Sequence, residues 1–199
     1  DSLGRIGRQT AASSSVLAAL LASTEPQARA AAAEALGRIG KDAAATSAEL
    51  TRLLGDDDPQ VRAAAAQTLG RIGISAVHGL VASLKGGNPV FLQAAVEALA
   101  KIGEPAVAAL IKALEDPRQA LLARQHAARA LARIGNGKGK VVPALLKRFK
   151  DENALVRIAA VEALGNLGAA AATSAGKLIE VIDDRDEELL VREYAINAA

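Results

Sequence analysis

Few residues in this chain have the type and spacing needed for covalent chemistry. There are two histidines, His78 and His126, and no cysteine. A metal site needs several convergent ligands, and neither histidine lies in such a cluster. The lack of cysteine excludes thiol nucleophiles, cysteine metal sites and a disulfide framework. Residues 135–141 read G-N-G-K-G-K-V and faintly resemble a phosphate loop. That loop needs G-x-x-x-x-G-K followed by Ser or Thr, after a strand. Here Val141 follows Lys140 and the preceding Arg133-Ile134 is in a helical context, so the run reads as a connector. Lys147, Arg148 and Lys150 give it a positive edge. There is no Gly-x-Ser-x-Gly and no nucleophile–base pair at a telling spacing. No catalytic, cofactor-binding or metal-ligating residue is expected.

What recurs instead is charge in a fixed register. Arg29, Arg62, Arg124, Arg157 and Arg192 share one frame, the first four each eleven residues before a glycine (40 − 29, 73 − 62, 135 − 124, 168 − 157). Asp56, Asp151 and Asp186 lie six residues before Arg62, Arg157 and Arg192. An Asp in a turn accepts from the N–H groups that open the next helix and pairs with an Arg of the same or a neighbouring repeat. This predicts a structural Asp/Arg ladder. A second register gives a basic column, Arg5, Arg38, Arg71, Lys101 and Arg133, ending at Asn166. Beside it run Glu34, Gln67, Glu97, Arg129 and Glu162. A third column, Ala30, Ala63, Gln93, Gln125 and Ile158, is small or neutral, and with Leu122 and Leu155 its C-terminal half is more apolar.

These columns need elements to hold them, and the chain supplies a repeat. The stretch Pro59–Gly73, P-Q-V-R-A-A-A-A-Q-T-L-G-R-I-G, recurs before Gly40, Gly103, Gly135 and Gly168, and its tail appears at Leu3–Gly7. A period of this length marks a solenoid whose units bury their apolar faces only against neighbours. Each unit reads as two helices. Ala44–Leu54 exemplifies the first, by the spacing of its apolar positions. The acidic turn Gly55–Asp58 follows, and Pro59 opens the second helix, where its missing N–H costs nothing. Val61, Ala65, Leu69 and Ile72 form the inward stripe, and Gly73 stops the helix. Pro26, Pro89 and Pro117 occupy equivalent turns. In the sixth copy Ala154 replaces proline, while Asp151-Glu152-Asn153 keeps the helix-starting chemistry.

The pattern D-x-D-P-x-V-R-x-A-A-x-x-A-L-G-x-I-G followed by A-x-x-x-L-x-x-L resembles the HEAT-repeat family, specifically its phycobilisome-lyase-like subclass. The resemblance implies an all-α, right-handed α-solenoid of about six two-helix repeats, truncated within a repeat at both ends. Second helices would line its concave side. Repeats are placed at 1–25 (partial), 26–58, 59–88, 89–116, 117–153, 154–186 and 187–199 (partial), forming one continuous array. Some HEAT-like enzymes hold iron with His-Glu dipeptides, but Gly79 and Ala127 follow the histidines here. Copy four departs from the pattern: Leu92 replaces the arginine and Gly86-Gly87-Asn88 replaces the acidic turn, a joint loss expected of a structural pair. In copy five Asp116 and Arg124 are eight residues apart, which predicts an insertion around Arg118–Leu122.

Net charge is only +2, from 24 basic and 22 acidic residues, so no uniform field for nucleic acid or membrane exists. No run is long and apolar enough for a membrane span, and no leader segment is visible. An intracellular, soluble protein is expected. Neither end reads as a capping repeat, so the chain is expected to belong to a longer array or to have covered ends that contact a larger assembly. Glu34 with Arg38 and Glu97 with Lys101 are helix-supporting pairs four residues apart. The expected function is a non-catalytic scaffold binding another protein (a peptide, a helix or a subunit of a complex) along Arg38, Gln67, Arg71, Gln93, Glu97, Lys101, Gln125, Arg129, Arg133 and Ile158. The subclass resemblance implies an alternative, handling of a linear tetrapyrrole whose carboxylates would meet Arg71, Lys101 and Arg133. Nucleic-acid binding is a third and weaker reading.

Overall fold

The computed structural model describes residues 13–135, 139–168 and 174–198. The expectations for Leu3–Gly7, Arg5 and residues 136–138 lie outside them. The described residues are helical with no strand. Second helices are α1 (Pro26–Ile39), α3 (Pro59–Ile72), α5 (Pro89–Ile102), α7 (Leu121–Ile134), α9 (Ala154–Leu167) and α11 (Leu189–Ala198). First helices are α2 (Ser47–Leu53), α4 (Ile74–Ser83), α6 (Glu104–Glu115), α8 (Val141–Lys147) and α10 (Ala175–Asp183). Chain contacts divide the molecule into two compact units, residues 1–83 with 87–105, and residues 84–86 with 106–199. The main border falls between Pro105 and Ala106, near the start of α6.

The second helices form where local chemistry starts and stops them. Proline opens α1, α3 and α5 at a position whose N–H is an orphan in any helix. Asp58 accepts from Gln60 N (2.7 Å) and Val61 N (3.2 Å), Asn88 from Phe91 N (2.7 Å), and Asn153 from Leu155 N (2.9 Å). At the other end Gly73 has φ 76° and donates its N–H to Leu69 O at 3.0 Å. A side chain at that φ would be strained, which is why the repeat closes on glycine.

Packing follows the stripe. Val61, Ala65, Leu69 and Ile72 are all buried, and each large member stabilises the fold by about 1.5–3 kcal/mol. In the first unit α1 packs on α3 and α3 on α5; in the second, α7 packs on α9 and α9 on α11. Small residues let these helices approach closely. A Cβ on Gly37 would lie 2.7 Å from Thr68 Oγ1, and one on Gly70 would lie 2.8 Å from Lys101 Cβ. Thr68 Oγ1 also donates to Ala33 O at 2.7 Å, tying α3 to α1.

Two expectations are corrected. The first helix of copy two is not one helix over Ala44–Leu54: a 3-10 stretch, Gly40–Thr46, precedes α2. Pro117 does not open a helix, because α7 begins at Leu121 behind Ala120. The extra residues of copy five therefore lengthen the turn and leave α7 at 14 residues, the length of α1, α3, α5 and α9.

Candidate partner-binding surface and the arginine ladder

The outward positions of the second helices carry most of the residues singled out by the sequence. In the first unit Arg38, Arg71 and Lys101 are exposed in the last turns of α1, α3 and α5, where cations complement the helix dipole. Close packing brings them together: Arg71 Nη1 lies within 3.4 Å of the Cβ position on Gly37, and Lys101 covers Gly70. Glu34, Gln67, Glu97, Ala63 and Gln93 are exposed beside them. Among the described residues no ion pair joins Glu34 to Arg38 or Glu97 to Lys101, contrary to the spacing-based expectation.

In the second unit Arg129 and Arg133 are exposed and Gln125 is half-buried. Arg129 Nη2 meets Glu162 Oε2 of the next repeat at 3.8 Å. Leu122 and Leu155 are 42% and 44% exposed. Ile158 is corrected: it is 8% exposed and belongs to the core cluster with Val161, Leu178, Val181, Val191 and Ala195. It offers no surface to a partner.

At the opposite end of these helices the ladder arginines make the most ordered polar contacts. Arg29 donates from Nη1 to Ser23 O (2.9 Å) and Thr24 O (3.0 Å) of its own turn. Its Nε and Nη2 each reach Asp56 at 2.7 Å, in the next turn. Side chains are 15% and 8% exposed. The Arg29 guanidinium, followed by the Asp58 N–H, holds the Asp56 carboxyl below its ordinary range, and Asp56 in return raises Arg29. Arg157 repeats the hold, with Nη1 on Asp151 O and Glu152 O and with Nε and Nη2 on Glu187 Oε1 at 3.1 and 2.7 Å. Arg124 donates Nε to Leu114 O and Nη2 to Asp151. Arg192 donates Nε to Ile182 O at 2.8 Å.

Two ladder assignments change. Asp186 is not the acid of the last turn. Asp184 takes the place of Asp56 and Asp151, accepting from Asp186 N at 3.0 Å as Asp56 accepts from Asp58 N, while Glu187 supplies the link to Arg157. The losses in copy four are also not two halves of one pair. Arg29, Arg124 and Arg157 each meet an acid of the following turn, so Gly86 stands in the register of Arg62's acid and Leu92 in the register of Asp116's arginine. Asp116 is met by Arg118 Nε at 3.1 Å, which holds its carboxyl below the ordinary range.

Two clefts off the predicted surface were missed. One of about 500 Å³, lined by Gln119, Leu121, Arg124, Arg148, Lys150 and Asp151, opens beside the lengthened turn of copy five, and Arg148 Nε in it is buried without a partner. The eight-residue spacing from Asp116 to Arg124 was its signal. The other, about 520 Å³, is lined by Pro143, Leu146, Phe149, Lys177 and Val181 between first helices, and short apolar helices carry no such signal. His78 is exposed, and buried His126 meets Leu122 O through Nδ1 at 2.8 Å. Among the described residues no group of metal-ligating side chains gathers, and no helix is long and apolar enough to cross a membrane.

Helical hairpins in register, joined by arginine–carboxylate links between turns, define the α-solenoid repeat class. The chain belongs to the HEAT-repeat family: its model, described as HEAT repeats, matches residues 13–78, 47–123, 77–140 and 107–199. The comparison with curated proteins finds no match. Among solved structures the chain is similar to the complex of CpcE and CpcF of phycocyanin lyase from Nostoc sp. PCC7120, at 22% identity over 77% of this chain and 98% of that one, TM-score 0.48. It is also similar to human deoxyhypusine hydroxylase, at 23% identity over 93% and 72%, TM-score 0.41. A third similar structure is the archaeal HEAT-like repeats protein from Thermococcus onnurineus NA1, at 12% identity over 96% and 90%, TM-score 0.42.

Proposed function

We propose that this chain is a non-catalytic scaffold that binds another protein through the outward faces of its second helices. The reading rests on the exposed column Arg38, Arg71 and Lys101, which is free of ion pairs among the described residues. Helix packing keeps the column in register: Arg71 and Lys101 lie over the glycines of the preceding second helix. Such a row of preorganised cations suits an acidic segment of a partner, and electrostatic complementarity of this kind sets specificity and association rate. In the second unit Arg133, Gln125, Leu122 and Leu155 form a mixed polar and apolar face suited to a helix or extended segment. The glutamates beside the basic column weigh against nucleic acid. Protein interaction is also the usual work of HEAT repeats.

The test is affinity isolation of the chain from its native source, repeated with the double variant Arg71→Glu/Lys101→Glu. Both positions are exposed, so the variant should fold, losing about 1–2 kcal/mol from two reversed charges at helix C-termini. A stoichiometric protein partner recovered by the parent chain and lost by the variant supports the reading. Equal recovery by both would refute the role of the column.

A further inference from the structure

Arg29, Arg62 and Arg157 are held alike. Each donates Nη1 to two carbonyls of the turn before its own helix, in Arg62 to Asp56 O at 2.6 Å and Asp57 O at 2.9 Å. In Arg29 and Arg157 this hold leaves Nε and Nη2 turned to a carboxylate of the following turn. Arg62 keeps the hold and lacks the carboxylate. Residues 85–88 of its following turn read Lys-Gly-Gly-Asn, and among the described residues nothing accepts from its Nε or Nη2.

The vacancy has a definite chemistry. A guanidinium is always charged, accepts nothing, and presents its N–H groups in a fixed fork that matches a carboxylate. Two bonds of 2.6 and 2.9 Å already fix the plane of Arg62, and its side chain is half-buried. Much of the ordering cost that weakens exposed ion pairs is therefore met before a ligand arrives. The same fork, held the same way in Arg29, takes both oxygens of one carboxylate at 2.7 Å.

We propose that the Nε–Nη2 edge of Arg62 is a carboxylate-binding site filled from outside the chain, by an Asp or Glu side chain of a protein partner or by a free small carboxylate. The site does not depend on the basic column. Arg62 opens α3 and Arg71 closes it, nine residues and about 14 Å apart along the helix.

The experiment is an NMR titration of the arginine Nε–Hε resonances of the full chain at constant ionic strength. One arm adds sodium acetate and the other adds acetyl-Asp-Asp-Asp-Pro-amide, which copies residues 56–59. The Arg62 signal is the one missing from the Arg62→Lys variant, which needs only to fold, checked by far-UV circular dichroism; the titration uses the unaltered chain. The Arg62 signal is expected to move saturably toward the position of Arg29, while Arg29, Arg157 and the exposed Arg38 stay in place. A midpoint for the peptide more than tenfold below that for acetate identifies a protein side chain as the ligand source. Midpoints closer than that identify a free carboxylate. No saturable movement at Arg62 in either arm, or equal movement at Arg38, overturns the proposal. Because Arg71 and Lys101 are untouched, this failure is distinct from failure of the scaffold reading.

Discussion

Replacing Gly37 with alanine should change sign depending on the residue at position 68. Gly37 lies within α1, where alanine is favoured over glycine by about 1 kcal/mol. In the parent chain the new Cβ would meet Thr68 Oγ1 at 2.7 Å. That oxygen cannot retreat freely, because it donates to Ala33 O at 2.7 Å and is buried between the two helices. The helices must part or the hydroxyl must leave its acceptor, at about 1–3 kcal/mol for overpacking and about 1 kcal/mol for the hydrogen bond. The net expectation is a loss of about 1–2 kcal/mol, the propensity gain offsetting part of the clash.

Thr68→Ala removes the obstacle. The next nearest atoms, Arg71 Nη1 at 3.4 Å and Thr68 Cβ at 3.5 Å, are ordinary contacts. On that background Gly37→Ala should stabilise by up to about 1 kcal/mol, giving a coupling energy of about 2–3 kcal/mol across the cycle. Urea unfolding followed by circular dichroism at constant slope measures all four chains. Gly37→Ala stabilising the parent chain, or a coupling under about 0.5 kcal/mol, would refute the close approach of α1 and α3. The same approach sets the distance between Arg38 and Arg71, so loss of partner binding should accompany the destabilisation.

Ile158→Ala should cost about 2–5 kcal/mol, as a core residue of the second unit does, and Ala63→Ser at the equivalent place should cost under about 0.5 kcal/mol. Equal and small effects in thermal unfolding would return Ile158 to the surface. Asp56 should make stability depend on acid pH in a defined direction. Its carboxyl is held below the ordinary value in the folded chain, so the unfolded chain takes up the proton first as pH falls. The stabilisation is complete above the unfolded value, about 3.9, and is lost as pH drops through the folded one. Asp56→Asn should therefore be less stable than the parent at pH 7, and the two should converge toward pH 2; parallel curves from pH 7 to 2 would contradict the pairing.

α1, α3, α5 and α9 were legible because they carry their own punctuation. Proline or Asn/Asp at one end, glycine at the other and the Val61-Ala65-Leu69-Ile72 stripe act within a few residues, where sequence and structure nearly coincide. The start of the first helix was not legible: Gly40–Thr46 is Ala-rich and fits a 3-10 turn as well as an α-helical one. Ile158 shared a register with Ala63 and Gln93, but periodicity places only the Cα. A larger apolar side chain at that rim position reaches the core cluster, while alanine and glutamine stay outside. The direction of the ladder was hidden for a related reason. An acid six residues before an arginine is visible locally, yet the partner of Arg29 is 27 residues ahead and that of Arg157 is 30 ahead. A strict period makes both registers recur together, so their common occurrence cannot separate them.

Turn length decides how the link between repeats is made. Where six residues separate acid and arginine, as from Asp56 to Arg62 and Asp151 to Arg157, Nη1 engages the turn and the two-donor Nε–Nη2 edge faces onward. Where eight separate them, as from Asp116 to Arg124 and Asp184 to Arg192, Nε turns back to Leu114 O or Ile182 O instead. Arg124 then reaches Asp151 through Nη2 alone, and the adjacent Arg148 adds a second, longer bond at 3.4 Å. Copy four interrupts this series by removing the acid due to Arg62 and the arginine due to Asp116. The longer turn that follows supplies Arg118 to Asp116, so the carboxylate is satisfied within its own repeat. Arg62 has no such neighbour and is of the six-residue type. The donor edge it leaves open is therefore the one that, in Arg29, grips both oxygens of a carboxylate.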